Sequence, residues 1–387
     1  MQYRKFGQID WEASVLGFGC MRFPTIGEDS GKIDQEKTNA MIWRAIDGGV
    51  NYFDTAYVYH QQQSEVALGI ALANGYRHKV RIATKLPIWL VNEADDFDRM
   101  VDEELGRLQT DVIDFYLMHA LDAGSWEKVQ KLGLLKKAEK AIADGRIKHI
   151  GFSFHDSLTV FKQIVDGYDQ WDFCQIQYNY MDIDYQAGKA GLRYAAEKGL
   201  AVVIMEPLRG GKLAADIPAA KPLWDQAEKK RTPAEWALQW LWSQPEVTLV
   251  LSGMSTLEQV KENLASAAQS RVALLDEGEM ALVDRVRETL DGLSPIDCTQ
   301  CEYCLPCPQG VNIPRVFDYY NRIAVYDDLE GTRDAYQQFF EEEQKAAHCI
   351  QCDECVPKCP QNIPISEWMP IIEDVLSYQH PYQKQIG

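Results

Sequence analysis

Asn51-Tyr52-Phe53-Asp54-Thr55-Ala56-Tyr57-Val58-Tyr59 opens as an apolar strand and then runs into a carboxylate. Seven other apolar runs resemble its opening, at 15–19, 80–85, 113–119, 149–154, 173–178, 200–206 and 248–253. Each is followed by a mixed polar and apolar stretch of helical character. Alternation of this kind implies a parallel sheet, and eight repeats imply that the sheet closes on itself. The competing architecture is an open doubly wound sheet, which normally carries a Gly-x-Gly-x-x-Gly turn after its first strand. Gly17-Phe18-Gly19-Cys20-Met21-Arg22 lacks the third glycine. The expected fold is therefore α/β, a (β/α)8 TIM barrel.

The helical stretches include 35–47, 64–74, 97–108, 134–144, 186–198 and 233–242. Gly75, Gly145 and Gly199 stand just past three of them and Pro233 opens another, the usual stop and start signals. Residues 2–14 precede the first strand and are expected to lie as a lid over the N-terminal mouth of the barrel. After one more amphipathic helix at 276–290, Asp291-Gly292-Leu293-Ser294-Pro295 breaks the pattern with turn formers. This divides the chain into a barrel domain, 1–291, and a smaller domain, 292–387. The smaller one reads as helical at 314–326 and 331–343, with no strand.

A chain of 387 residues with 46% apolar content can bury a large core. Its 58 acidic against 39 basic residues give a formal charge of −19, which repels phosphate backbones and anionic lipid. Nucleic acid and membrane partners are not expected. The first residues carry charge without an apolar run, and no later stretch is apolar enough to span a bilayer, so the protein reads as cytoplasmic. Eight of the ten cysteines fall within 298–359, and tight Cys-x-x-Cys spacing in an intracellular chain favours metal over disulfides.

Active sites of such barrels lie at the C-terminal ends of the strands. Four residues there call for explanation: Asp54 ends the second run with Tyr59 just beyond it, Lys85 ends the third and His119 ends the fourth. Together they are suited to protonating an oxygen. An adjacent ammonium favours a phenolate, Asp54 would keep Lys85 charged, and His119 could donate to a carbonyl oxygen. The plainer alternatives are a packing tyrosine, one structural ion pair and a core histidine. Tyr57 is near enough that spacing does not exclude it.

With these residues in place, the sequence resembles the aldo-keto reductases over about residues 1–290. The family's Asp-x4-Tyr falls on Asp54 and Tyr59, its lysine on Ala83-Thr84-Lys85 and its histidine on Tyr116-Leu117-Met118-His119. The resemblance implies hydride exchange between a nicotinamide cofactor, NADP or NAD, and a small-molecule carbonyl substrate, with Tyr59 supplying the proton. It also implies where the cofactor binds. Ser153 and Gln175 match the groups holding the carboxamide, and Cys20 and Met21 follow the first strand. Met205, Pro207, Leu208, Arg209 and Gly211 belong to the loop over the pyrophosphate. Gly253, Ser255, Gln259, Glu262 and Asn263 belong to the adenosine end. Phe154 stands where the family usually has asparagine, with His155 as the nearest substitute. Met205 stands where an aromatic residue commonly stacks on the nicotinamide. No arginine of the last signature faces a ribose phosphate, which leaves NADP and NAD both open.

The last region carries two cysteine motifs. Cys349, Cys352, Cys355 and Cys359 form C-x2-C-x2-C-x3-C-P, the spacing of 4Fe-4S ferredoxins, in which the fourth cysteine usually ligates the other cluster. Cys298, Cys301, Cys304 and Cys307 repeat it one residue short. Zinc and disulfides are the alternative readings. Residues 293–387 resemble the helical ferredoxin domains, which implies two 4Fe-4S clusters. Cys20 and Cys174 read as packing residues rather than metal ligands. A nicotinamide gives an electron pair and a cluster takes one electron, so direct exchange without a flavin is awkward. The clusters are then structural, act on a substrate radical, or serve a ferredoxin-like electron partner. The rival to a carbonyl reductase is an electron-transfer or redox-sensing protein that binds nicotinamide without carbonyl turnover.

Overall fold

The computed structural model describes residues 1–27, 29–298, 303–359 and 361–377. Two compact units divide the chain, one of Met1–Ala215 with Glu228–Val283 and the other of Asp216–Ala227 with Asp284–Gly387.

The first unit begins with an antiparallel hairpin, β1 (Tyr3–Lys5) and β2 (Glu12–Ser14). Eight parallel strands follow: β3 (Leu16–Gly19), β4 (Tyr52–Asp54), β5 (Arg81–Pro87), β6 (Ile113–Leu121), β7 (Ile147–Phe154), β8 (Phe173–Gln177), β9 (Ala201–Met205) and β10 (Leu249–Ser252). They close in the order β10-β3-β4-β5-β6-β7-β8-β9, the expected barrel. Each expected run contains or overlaps one strand. The runs are nearly continuous in apolar residues because both faces of a parallel strand are covered, one by the barrel interior and the other by helices.

The helices of this unit are α1 (Gln35–Asp47), α2 (Gln63–Leu72), α3 (Asp96–Leu108), α4 (Ala123–Lys131), α5 (Leu134–Ala143), α6 (Leu158–Asp166) and α7 (Gly188–Glu197). The short α8 (Lys221–Trp224) belongs to the second unit; α9 (Pro233–Trp242) and α10 (Leu257–Gln269) return to the first, and α11 (Glu277–Asp291) runs across the division. The helix expected from 186 begins at Gly188, because Gln186 takes a left-handed φ of 56° and turns the chain first. Helices α4 and α6 begin at Asp122 and Ser157, whose side chains accept from the backbone N–H three residues on.

The hairpin forms the expected lid. Phe6 is wholly buried, with its ring 4.7 Å from Phe115 and 5.9 Å from Tyr52 inside the strands. Phe6, Ala13, Phe173 and Leu249 belong to one apolar cluster that fills the N-terminal end of the barrel. The opposite end is left for chemistry.

In the second unit α12 (Ile313–Tyr326), α13 (Leu329–Phe339) and α14 (Ile365–Leu376) surround a core of Val316, Phe317, Tyr320, Tyr336, Met369 and Ile372. The helix expected over 331–343 stops at Phe339. Phe340 turns extended and packs its ring 4.7 Å from that of Tyr336. Pro370 lies inside α14, where a proline ordinarily argues against a helix.

Candidate active site

Parallel register sets the strand ends side by side, Gly19 opposite Asp54 and Pro87 opposite His119. Lys85 is buried among them. Its Nζ donates to Asp54 Oδ1 and to the Thr55 carbonyl, each at 2.6 Å, and reaches the Tyr59 hydroxyl at 3.5 Å. The Tyr59 and His119 rings meet edge to face at 6.1 Å, and Trp89, half exposed, stands 5.0 Å from His119. A register shift between Met118 and Leu121 interrupts β6 where His119 sits, as bulges do when they re-aim a side chain. Tyr57 faces elsewhere. Its hydroxyl donates to Glu103 at 2.5 Å and Arg107 lies over its ring.

Burial works to lower the Lys85 ammonium, but Asp54 and then Tyr59 outweigh it and hold Lys85 above its ordinary value. Burial raises the Tyr59 phenol. Lys85 pulls it down without cancelling the rise, to which Asp54 adds. The neighbouring ammonium alone would lower the phenol, but in the folded chain desolvation is the larger effect. Burial, then Lys85, pushes His119 well below its usual range, so its imidazole is neutral near pH 7.

Ser153 and Gln175 come from adjacent strands in register and are both buried. Ser153 Oγ accepts from the Ala120 N–H at 2.7 Å, while Gln175 Oε1 has no hydrogen-bond partner. Cys20 is buried with its thiol 3.8 Å from the Phe18 carbonyl, whereas the Met21 side chain is exposed. After β9, Glu206 and Arg209 take left-handed φ values, and Gly210 and Gly211 follow at 69° and 96°. The Glu206 carboxylate accepts from the Gly210 N–H, and Arg209 pairs with Asp182 at 3.2 Å. Pro207 is buried; Met205 and Leu208 are half-buried. Past Gly253, Gln259 Oε1 accepts from the Ser255 N–H at 2.8 Å, and Asn263 donates to Ser252 Oγ at 3.0 Å. Glu262 is exposed.

In the second unit Cys304, Cys307, Cys349, Cys352 and Cys355 line one cavity that is partly open to solvent. Cys304 and Cys307 of the first motif thus join three cysteines of the second. The Gln351 N–H donates to Cys349 Sγ at 3.4 Å. Cys298 and Cys359 pack against the helical core, and neither they nor the cavity cysteines form disulfides. Cys301 lies outside the described residues.

Residues 15–288 match the aldo/keto reductase family. The chain belongs to that family. Its remaining region matches the 4Fe-4S dicluster domain over 297–363. The chain is 25% identical over 320 residues to L-galactose dehydrogenase of Arabidopsis thaliana, covering 76% of this chain and 97% of that protein. It is 27% identical over 299 residues to probable aldo-keto reductase 1 of Glycine max, covering 68% and 84%. Among solved structures it is similar to the holo form of aldo-keto reductase AKR11C1 from Bacillus halodurans, with a TM-score of 0.62, 24% identity and coverage of 74% and 96%. A Klebsiella pneumoniae aldo-keto reductase in complex with NADPH gives a TM-score of 0.60 at 23% identity, covering 74% and 95%.

This aldo/keto reductase carries one more polar residue beside a strand end, Asn179, which was not among the expected site residues. Asn179 Nδ2 donates to Asp182 at 2.9 Å and to the Glu206 carbonyl at 3.1 Å, so it ties the loop after β8 to the loop after β9. The signal was a polar residue ending the run that begins at Phe173. No helix among the described residues is long and apolar enough to cross a membrane.

Proposed function

We propose that the protein is an NAD(P)H-dependent reductase of aldehydes or ketones, working also in the reverse direction on alcohols. The observation that carries this reading is Lys85 Nζ, held 2.6 Å from Asp54 and within 3.5 Å of the Tyr59 hydroxyl. Tyr59 donates its phenolic proton to the substrate oxygen as negative charge develops there. Lys85, kept cationic by Asp54, stabilises the phenolate left behind. Neutral His119 donates one N–H to the same oxygen and orients it. Trp89 beside His119 gives the substrate an aromatic wall.

A bound nicotinamide would supply the hydride. The residues fit its carboxamide, since the buried, unpartnered Oε1 of Gln175 is an acceptor that an amide N–H would satisfy, with the Ser153 hydroxyl alongside. The loop from Met205 to Gly211 and the residues from Gly253 to Asn263 hold the rest of the dinucleotide. NADP is favoured over NAD by the complex of the Klebsiella pneumoniae relative with NADPH.

Residues 292–387 act as a separate domain with two 4Fe-4S clusters. By the ferredoxin pattern, in which the fourth cysteine ligates the other cluster, Cys349, Cys352 and Cys355 with Cys307 hold one and Cys298, Cys301 and Cys304 with Cys359 hold the other; the cavity gathers Cys307 with Cys349, Cys352 and Cys355 and takes in Cys304 as well. The clusters would supply one-electron exchange with a ferredoxin-like partner, in a cytoplasmic setting. Oxidation of NADPH and NADH measured against a panel of aldehydes and ketones tests the reading. Carbonyl-dependent oxidation is expected. Dinucleotide binding with no such oxidation across the panel would instead favour an electron-transfer or redox-sensing protein.

A further inference from the structure

Strands β5, β6 and β7 are neighbours in the barrel, in that order. Each carries a ring at or just past its C-terminal end, Trp89 after β5, His119 on β6 and His155 after β7. The first two already belong to the site. His155 follows the last residue of β7, but the ladder still holds there, because its N–H donates to the Leu121 carbonyl at 3.1 Å. Side chains alternate between the faces of a strand, so His155 lies on the face of Ser153, roughly 6.5 Å further out. It therefore stands over the mouth, one level above Ser153. His155 is exposed, and it is close enough to His119 to be among the groups that lower it.

One side of the His155 ring is committed and the other is not. Gln186 Nε2 lies 3.4 Å from His155 Nδ1. An amide nitrogen donates and does not accept, so Nδ1 is the acceptor and the proton of the neutral imidazole sits on Nε2. Nε2 has no hydrogen-bond partner among the described residues. The ring reaches solvent through the mouth, yet protein crowds it enough that desolvation draws it below the ordinary 6.5, and it is neutral near pH 7. On the far side of His119, Trp89 stands 5.0 Å away. A carbonyl held at His119 is thus flanked by an apolar ring toward β5 and by a neutral N–H donor toward β7.

We propose that His155 is a specificity-determining residue, whose Nε2–H bonds an oxygen on the carbon next to the reacting carbonyl, so that 2-hydroxy aldehydes and ketones are favoured over plain ones. This rests on the reading of the barrel as a carbonyl reductase. The carboxamide of the nicotinamide has no need of His155, since Ser153 and the unpartnered Oε1 of Gln175 answer it. A plain substrate leaves the Nε2–H to water, which keeps the preference modest.

The test compares pairs of equal shape, lactaldehyde against 2-methylpropanal and hydroxyacetone against butanone, by NADPH oxidation with the full-length, cluster-loaded protein. The wild type is expected to favour the hydroxylated member in kcat/KM by about threefold to tenfold, the worth of one neutral hydrogen bond. His155→Phe keeps a ring and removes the donor, and it should bring the members of each pair level while NADPH affinity matches the wild type. Gln186→Leu leaves the ring in place and frees its tautomer, so it should narrow the preference partway and carries the test if the phenylalanine disturbs the fold. A preference that survives His155→Phe unchanged would overturn the proposal. So would a loss of NADPH affinity in that variant, which would move His155 to the carboxamide. Wild-type turnover that favours neither hydroxylated member would sink this proposal alone, whereas a wild type inert to every aldehyde and ketone would sink the reductase reading with it.

Discussion

At Lys85 Nζ two oxygens lie at 2.6 Å and the Tyr59 hydroxyl stands further off at 3.5 Å. The lysine is thus anchored to the barrel and only leans on the tyrosine, whose phenol burial holds above its ordinary value. Replacing Lys85 with Met removes the charge that stabilises the phenolate. Carbonyl reduction should fall by about a hundredfold to ten-thousandfold, measured as kcat at saturating NADPH. The pH profile follows from the directions of the shifts. Tyr59 lies above the ordinary 10 and His119 well below the ordinary 6.5, so neither changes charge near neutrality. The rate of reduction should hold level across neutral pH and fall only on the alkaline side as Tyr59 loses its proton. A break in kcat near pH 6.5 would contradict the neutral role of His119. All four residues were legible as charged or polar groups at strand ends. The choice between Tyr57 and Tyr59 was not, because it depends on Glu103 and Arg107 drawing Tyr57 away toward α3. Nor was the sign of the Tyr59 shift legible, since desolvation belongs to the folded chain.

At the level of elements, the strands were legible because parallel pairing buries both of their faces and leaves little room for polar residues. Short helices with local caps, α4 and α6, were harder to see, and Pro370 hid α14. The hairpin lid gives a direct test of packing. Phe6→Ala should destabilise the barrel by about 3–5 kcal/mol, the cost of emptying a buried aromatic site, with no change in iron content. Chemical denaturation followed by tryptophan fluorescence measures the first, and metal analysis the second. A second test concerns α3, which buries Glu104 close to Glu65, Arg107 and Tyr116. Burial, then Glu65, raises the Glu104 carboxyl well above its ordinary 4.5. A group raised in the folded state contributes stability that is complete below its unfolded value and is lost as pH rises through the folded one. Glu104→Gln removes that dependence. Its gain over the wild type should therefore appear at alkaline pH, on the order of 1–3 kcal/mol, and shrink as pH falls toward 4.5. Melting curves across this range check it, and a gain that grows toward acid would refute it.

For the whole molecule, the cysteine spacing made the second unit legible, while the approach of Cys304 and Cys307 to the second motif needed the fold to bring 304, 307 and 349–355 to one cavity. Anaerobically purified protein should hold about eight irons per chain. Cys307→Ser should lose about half of them, and stoichiometric zinc in place of iron would refute the clusters. None of these tests bears on the central claim as directly as Tyr59→Phe. Carbonyl-dependent NADPH oxidation by this variant should vanish while dinucleotide affinity and iron content match the wild type. Turnover equal to that of the wild type would contradict the assignment of Tyr59 as proton donor, and with it the reading of the barrel as a carbonyl reductase.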